Sequence, residues 1–167
     1  MPTPDVGSLI TQMSQKLQQF LAAKQIANPA MIGIHTGGAW IAKELHHALS
    51  LSQPLGLLDI TFYRDDFTEK GLHPAVKASD LPFSTDGQHI ILIDDVMSSG
   101  RTIRAALNEI FDYGRPASVI LATLVDVPCR HLPIQPDVIG ERLDLTPQQR
   151  VKLRGPDNLR LEIIQVD

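Results

Sequence analysis

The chain has 167 residues, 43% hydrophobic and 20% charged, which excludes a disordered or fibrous protein and is long enough to bury one domain core. Fifteen lysines and arginines against nineteen acids leave a net charge of −4, so the molecule is no polycation and a nucleic-acid partner would need a local basic patch. The lone Cys129 cannot close an internal disulfide and fits a reducing cytoplasm.

The opening MPTPDVGSL has neither the basic nor the apolar region of a secretion signal. No run approaches the roughly twenty apolar residues that span a bilayer, so no membrane is expected. With no internal repeat, low-complexity tract or linker, residues 1–167 read as a single domain. Leu9, Ile10, Met13, Leu17, Phe20 and Leu21 form a helical stripe over residues 8–25. Residues 30–35 (AMIGIH) read as a buried strand after Asn28-Pro29, and Thr36-Gly37-Gly38 then breaks the chain. A second helical stripe carries Ile41, Leu45, Ala48 and Leu49, and residues 55–63 (LGLLDITFY) read as a strand. From Arg64 to Gly87 the sequence is polar and broken by Pro74 and Pro82; a connection of that length in a small domain reads as a lid, a binding loop or a mobile segment.

Residues 89–93 (HIILI) are apolar throughout rather than alternating, as in a parallel strand covered on both faces. An amphipathic helix over 101–113 carries Ile103, Ala106, Leu107, Ile110 and Phe111 and closes at Gly114. A further buried strand spans 117–126, and 150–154 with 159–165 read as a hairpin around Gly155-Pro156-Asp157-Asn158. This order predicts an α/β domain with a mainly parallel sheet, whose ligand sits beyond the carboxyl ends of the strands.

The chemistry is concentrated in Ile91-Leu92-Ile93-Asp94-Asp95-Val96-Met97-Ser98-Ser99-Gly100-Arg101-Thr102-Ile103. An apolar strand ends in two adjacent carboxylates, and a short loop then opens a helix. N–H groups at a helix start have no intrahelical partner and suit a phosphate dianion. Gly100 permits close backbone approach, and the hydroxyls of Ser98, Ser99 and Thr102 can donate to the same anion. Two carboxylates beside it suit the vicinal hydroxyls of a ribose. The plainer alternative is a capped helix with Asp94 and Asp95 as solvated turn residues, but capping uses only one such residue.

These thirteen residues resemble the phosphoribosyl-pyrophosphate signature of type I phosphoribosyltransferases. Leu58-Asp59-Ile60-Thr61-Phe62-Tyr63-Arg64-Asp65-Asp66-Phe67-Thr68, Asp112-Tyr113-Gly114-Arg115-Pro116, Leu132-Pro133-Ile134 and Asp137-Val138-Ile139-Gly140 are similar to the PyrR group of that family, bifunctional regulators of pyrimidine operon attenuation that are also uracil phosphoribosyltransferases. The resemblance runs from about Thr11 to about Gly140 and is looser beyond. It implies a mainly parallel central sheet flanked by helices, with a small C-terminal hood or hairpin. It also implies conversion of uracil and 5-phosphoribosyl 1-pyrophosphate (PRPP) to UMP and pyrophosphate with Mg²⁺, UMP-dependent binding to pyrimidine-gene leader RNA, and a homo-oligomer of two or more chains. By the same resemblance Asp94 and Asp95 are the catalytic pair that binds the ribose, with Mg²⁺ nearby through PRPP rather than held by the protein alone. Residues Val96, Met97, Ser98, Ser99, Gly100, Arg101 and Thr102 hold the 5′-phosphate side of PRPP. Thr36, Gly37 and Gly38 form the pyrophosphate loop, Tyr63 to Asp66 open a lid carrying the catalytic Arg64, and Val138, Ile139 and Gly140 border the base.

Two departures matter. The family's pyrophosphate loop usually carries an arginine where this chain has Gly37, which leaves Arg64, Arg101 or Mg²⁺ to meet the leaving group. The basic positions that bind leader RNA in the regulators are here Gln12, Gln15, Cys129 and Gln135, with Arg130 remaining, so phosphate contact is thinned. Where purine-using relatives have an aspartate facing the base, Ser98 offers a neutral hydroxyl, which points to a pyrimidine. An enzyme, an RNA-binding nucleotide sensor with weak or no catalysis, and a transferase of another base specificity all remain open. The adjacent His46 and His47 diverge on a helix and cannot share a metal. Trp40 reads as packing, and Asp126 as either a site position or a turn residue.

Overall fold

The structure, a computed structural model, describes residues 2–60 and 79–167. Its elements are α1 (Val6–Ala23), β1 (Ala30–Ile34), α2 (Gly37–Ala48), β2 (Gly56–Leu58), β3 (His89–Met97), α3 (Arg101–Tyr113), β4 (Ser118–Asp126), β5 (Val138–Arg142), β6 (Gln149–Arg154) and β7 (Arg160–Gln165). The strand expected over 55–63 is seen as β2, and its predicted end beyond residue 60 lies outside the described residues, as do Arg64 and the opening of the lid.

Helix α1 begins where Asp5 accepts the Ser8 N–H at 2.9 Å, an ordinary side-chain cap. Its apolar stripe of Val6, Leu9, Met13, Leu17 and Leu21 is buried. The continuous apolar runs of β1 and β3 are explained by cover on both faces. Met31, Ile91 and Ile93 point into a core shared with α1 and α2. Their neighbours Ile32, Ile90 and Leu92 point into a second core under α3, with Ile103, Ala106 and Ile110. The hairpin of β6 and β7 is antiparallel, and its Val151, Leu153 and Leu161 enter the first core.

The five-stranded sheet runs β2-β1-β3-β4-β5, every neighbouring pair parallel. From β1 the chain moves outward to β2, and from β3 it moves the other way to β4 and β5. The loops leaving β1 and β3 therefore diverge and open a crevice at the carboxyl edge, the usual ligand position in such sheets. Among the described residues no helix is long and apolar enough to cross a membrane.

Leu17 is fully buried in the α1 stripe. Leu17→Ala is expected to lower unfolding free energy by roughly 2–5 kcal/mol through lost transfer energy and the cavity left behind. Urea denaturation monitored by circular dichroism checks this.

Candidate active site

Strand β3 does not stop at the acids. It continues to Met97, pairing Val96 with Val125 and Met97 with Asp126 of β4. The expected strand-end loop is thus reduced to Ser98–Gly100, and Asp94 and Asp95 are strand residues. Asp94 is buried at 5% exposure rather than solvated. The Asp95 N–H donates to Asp94 Oδ1 at 2.9 Å, and the Val96 N–H donates to Asp95 Oδ1 at 2.8 Å. Local backbone donors of this kind hold each carboxylate in one orientation.

The first turn of α2 lies directly against this pair. A Cβ built on Gly38 would meet the Ile93 carbonyl oxygen at 2.7 Å and the Asp94 Cα at 3.0 Å, both backbone atoms. A Cβ on Gly37 would run into the Asp95 carboxyl, with Cγ at 2.7 Å. Gly37 is not in the left-handed region, so the contact with Asp95 is what favours glycine there. The preceding His35-Thr36 peptide is cis. Thr36 is the N-cap position of α2, and no side chain caps the helix.

The second loop behaves alike. Gly100 stands at the N-cap of α3 with φ 96°, again with no side-chain cap, a left-handed conformation suited to glycine. The Arg101 N–H donates to Ser99 Oγ at 3.2 Å. A small depression beneath the loop is lined by Asp94, Met97, Ser98, Ser99 and Thr102 among others. Neither Thr36 nor Gly100 caps its helix through a side chain, in contrast with Asp5 at α1.

Arg130 holds the loop from behind. Its guanidinium pairs with Asp126 Oδ1 at 2.7 Å. It donates further to the carbonyls of Ile134 and Ser98 at 2.8 and 2.9 Å and to Gln135 Oε1 at 3.0 Å. The N–H groups of His131 and Leu132 both donate to the Ser99 carbonyl. Arg130, the cation expected at an RNA surface, has 15% side-chain exposure and engages its donors inside the chain, where they tie down the Ser98–Gly100 loop. Sequence reasoning missed its pairing with Asp126, although the spacing of four residues was visible.

Two clefts flank the acids. One, of about 480 Å³, is lined by His35, Thr36, Gly37, Trp40, Asp94, Asp95 and Thr102, and is closed by Val151, Lys152 and Leu153 of β6. Trp40 both packs on the core and lines this cleft. The other, of about 600 Å³, lies between Ser98, Ser99, the 127–131 segment and the chain from Asp144 to Val151. Thus Thr36, Gly37, Asp94, Asp95, Val96 and Ser98–Thr102 gather at one edge, with Gly38 in the turn beneath. Val138, Ile139 and Gly140 line neither cleft. Val138 is buried in β5, the Ile139 carbonyl accepts from Lys16 Nζ at 2.8 Å, and Gly140 is packed on Leu124 and Leu9, because β5 turns this stretch toward α1. The hairpin and the 127–131 segment, which the sequence reading did not place at the site, supply walls of the two clefts.

A parallel sheet with two helix N-termini opening uncapped beside paired acids is an arrangement suited to an anionic ligand. The sequence model of the phosphoribosyl transferase domain matches residues 4–146. Bifunctional protein PyrR of Pseudomonas savastanoi pv. phaseolicola is 55% identical over 98% of this chain and 96% of its own length. That of Pseudomonas aeruginosa is 56% identical over 97% and 95%. Among solved structures, a hypoxanthine-guanine phosphoribosyltransferase from Bacillus anthracis aligns with a TM-score of 0.68 at 17% identity, covering 86% of this chain and 84% of its own. The purine phosphoribosyltransferase from Pyrococcus horikoshii aligns at 0.63 and 21%, covering 84% and 83%. The chain belongs to the phosphoribosyltransferase family and, within it, to the PyrR proteins.

Replacing Arg130 by methionine removes the clamp and leaves Asp126 uncompensated at 11% side-chain exposure. The variant is expected to lose about 3 kcal/mol of unfolding free energy. Double substitution with Asp126→Asn is expected to recover part of it, which a urea-melt cycle over the four proteins measures.

Proposed function

We propose that the chain transfers the phosphoribosyl group of PRPP to uracil, giving UMP and pyrophosphate. The observation that carries this reading is the meeting of two uncapped helix N-termini with the paired acids at the crevice between β1 and β3. One ligand with an anion at each end and a diol between them satisfies all three features. The 5′-phosphate takes the Ser98–Thr102 loop, the ribose hydroxyls take Asp94 and Asp95, and the pyrophosphate takes Thr36–Gly38. Uracil then fills the 600 Å³ cavity beside Ser98, whose neutral hydroxyl suits a pyrimidine edge better than a carboxylate would.

In the reaction the bond from ribose C1 to the pyrophosphate oxygen breaks and a bond from C1 to uracil N1 forms. The N1 proton is released and the pyrophosphate leaves with the electron pair. The developing positive charge at C1 lies next to the acids, whose negative charge stabilises it. The clamp from Arg130 keeps the phosphate loop in one shape, so the ligand need not order it on arrival.

Asp94 and Asp95 offer hard oxygen donors suited to Mg²⁺, which takes one or two carboxylates and fills its remaining positions with water and phosphate oxygens. When bound, the ion neutralises charge on the diphosphate. A cytoplasmic homo-oligomer accompanies this reading. The second reading, an RNA-binding nucleotide sensor with weak or no catalysis, draws on the bifunctional name of the relatives. Arg130, its one retained cation, is occupied within the chain, and this favours the enzyme.

Asp94→Ala combined with Asp95→Ala is expected to abolish PRPP binding measured calorimetrically with Mg²⁺ present, and unchanged binding would remove the proposal. A panel of bases with PRPP is expected to show turnover of uracil. Turnover of hypoxanthine, guanine or xanthine alone would shift the base assignment. A gel shift on a pyrimidine-gene leader run beside the uracil assay separates enzyme from regulator.

A further inference from the structure

The pyrophosphate loop assigned above contains no cation, and the cleft before it holds two carboxylates. Apart from Mg²⁺, the Thr36–Gly38 wall then offers only helix-end N–H groups to a strongly anionic diphosphate next to Asp94 and Asp95. Of the described residues lining this cleft, Lys152 of β6 is the one with a permanent positive charge. It approaches from the opposite wall, carried by the hairpin rather than by the sheet. We propose that Lys152 holds the diphosphate of PRPP from the hood side, taking the place of a cation in the Thr36–Gly38 loop. This rests on the assignment of PRPP to the site.

Three features prepare Lys152 for the task. Its neighbours Val151 and Leu153 are buried in the core, which fixes the strand that bears it. Trp40, at the start of α2, lies against the hairpin turn: a Cβ on Gly155 would meet its ring at 3.0 Å. The hairpin is thereby set at a fixed height over the loop. Finally, Lys152 alone among the cations of β6 is uncommitted. Arg150 donates to the carbonyls of Pro147 and Gln149. Arg154 pairs with Glu162 at 3.0 Å, although Glu162 is the direct cross-strand partner of Lys152. That bond and the Arg154 charge hold the Glu162 carboxyl below its usual range. Among the described residues Lys152 makes no ion pair, and a compact ammonium on a four-carbon stem can swing to meet an incoming anion.

The test compares wild type, Lys152→Met and Lys152→Arg, titrated by calorimetry with inorganic pyrophosphate plus MgCl₂ and separately with UMP, alongside the KM for PRPP. Methionine keeps the stem on an exposed strand position and removes only the charge. Lys152→Met is expected to weaken pyrophosphate and raise the KM for PRPP by about tenfold or more, the size of one charge-assisted contact. UMP, which has no diphosphate, is expected to bind as in wild type, and Lys152→Arg is expected to retain most of the pyrophosphate affinity. Wild-type pyrophosphate affinity in Lys152→Met, or equal losses for pyrophosphate and UMP, would overturn the role of Lys152 alone. Failure of the wild type itself to bind PRPP or pyrophosphate would overturn the underlying site assignment as well.

Discussion

The contact on which the site depends is the one between the first turn of α2 and the middle of β3. Helix and strand approach until a single added carbon at Gly38 would press on the backbone of Ile93 and Asp94. No side-chain rotation can relieve a clash with backbone, so the approach exists only because the chain has glycine there. Its consequence is electrostatic. The positive end of the α2 dipole comes to rest beside two carboxylates, one of them buried, and a buried carboxylate is tolerable only where such fields and donors face it. The same proximity leaves the Asp95 carboxyl in the space a side chain at position 37 would take.

A second constraint acts from the other side of β3. The segment after β4 folds back beneath the Ser98–Gly100 loop, and Arg130 ties Asp126, Ser98, Ile134 and Gln135 together. Two loops leaving neighbouring parallel strands are thus stiffened by different means, one by glycine-mediated contact and the other by a guanidinium network. Rigid donors that are already in position lose little entropy when an anion arrives. The contrast with α1 shows where this matters: the helix remote from the crevice is capped by Asp5, while the two that open on it have no side-chain cap at their N-cap residues.

Much of this was legible in the sequence, because parallel strands covered on both faces leave unbroken apolar runs and helices leave stripes. The ranges of α1, α3, β4 and the hairpin follow from such patterns within a residue or two. The acid pair and the loop after it were legible because glycine, hydroxyls and paired carboxylates are rarely needed together for structure alone. The end of β3 was misjudged, since carboxylates read as polar and strand-breaking, whereas pairing with β4 carries the strand to Met97. The surroundings of residues 138–140 were not legible for a related reason. Apolar Val138 and Ile139 look like a pocket, but only tertiary packing tells which face of an edge strand turns to a helix and which to a cavity. Arg130 shows the same limit: a charge in a polar, proline-rich segment has the same letter whether it faces solvent or ties a loop.

The position of the hairpin gives these constraints a common logic. In this chain the Asp95 carboxyl occupies the space a side chain at position 37 would need. Moving the positive charge to the facing wall separates it from the acids by the width of a cleft while leaving it on the path of an incoming anion. The cost is that the charge rides on an element built from a different part of the chain, so its height over the loop must be set by packing. Val151 and Leu153 anchored in the core, and Trp40 lying against the turn at Gly155, provide that packing. On this account the hairpin is more than a cover for the first core: together with the sheet loop it forms a two-sided anion site, whose neutral half is rigid and whose charged half can adjust.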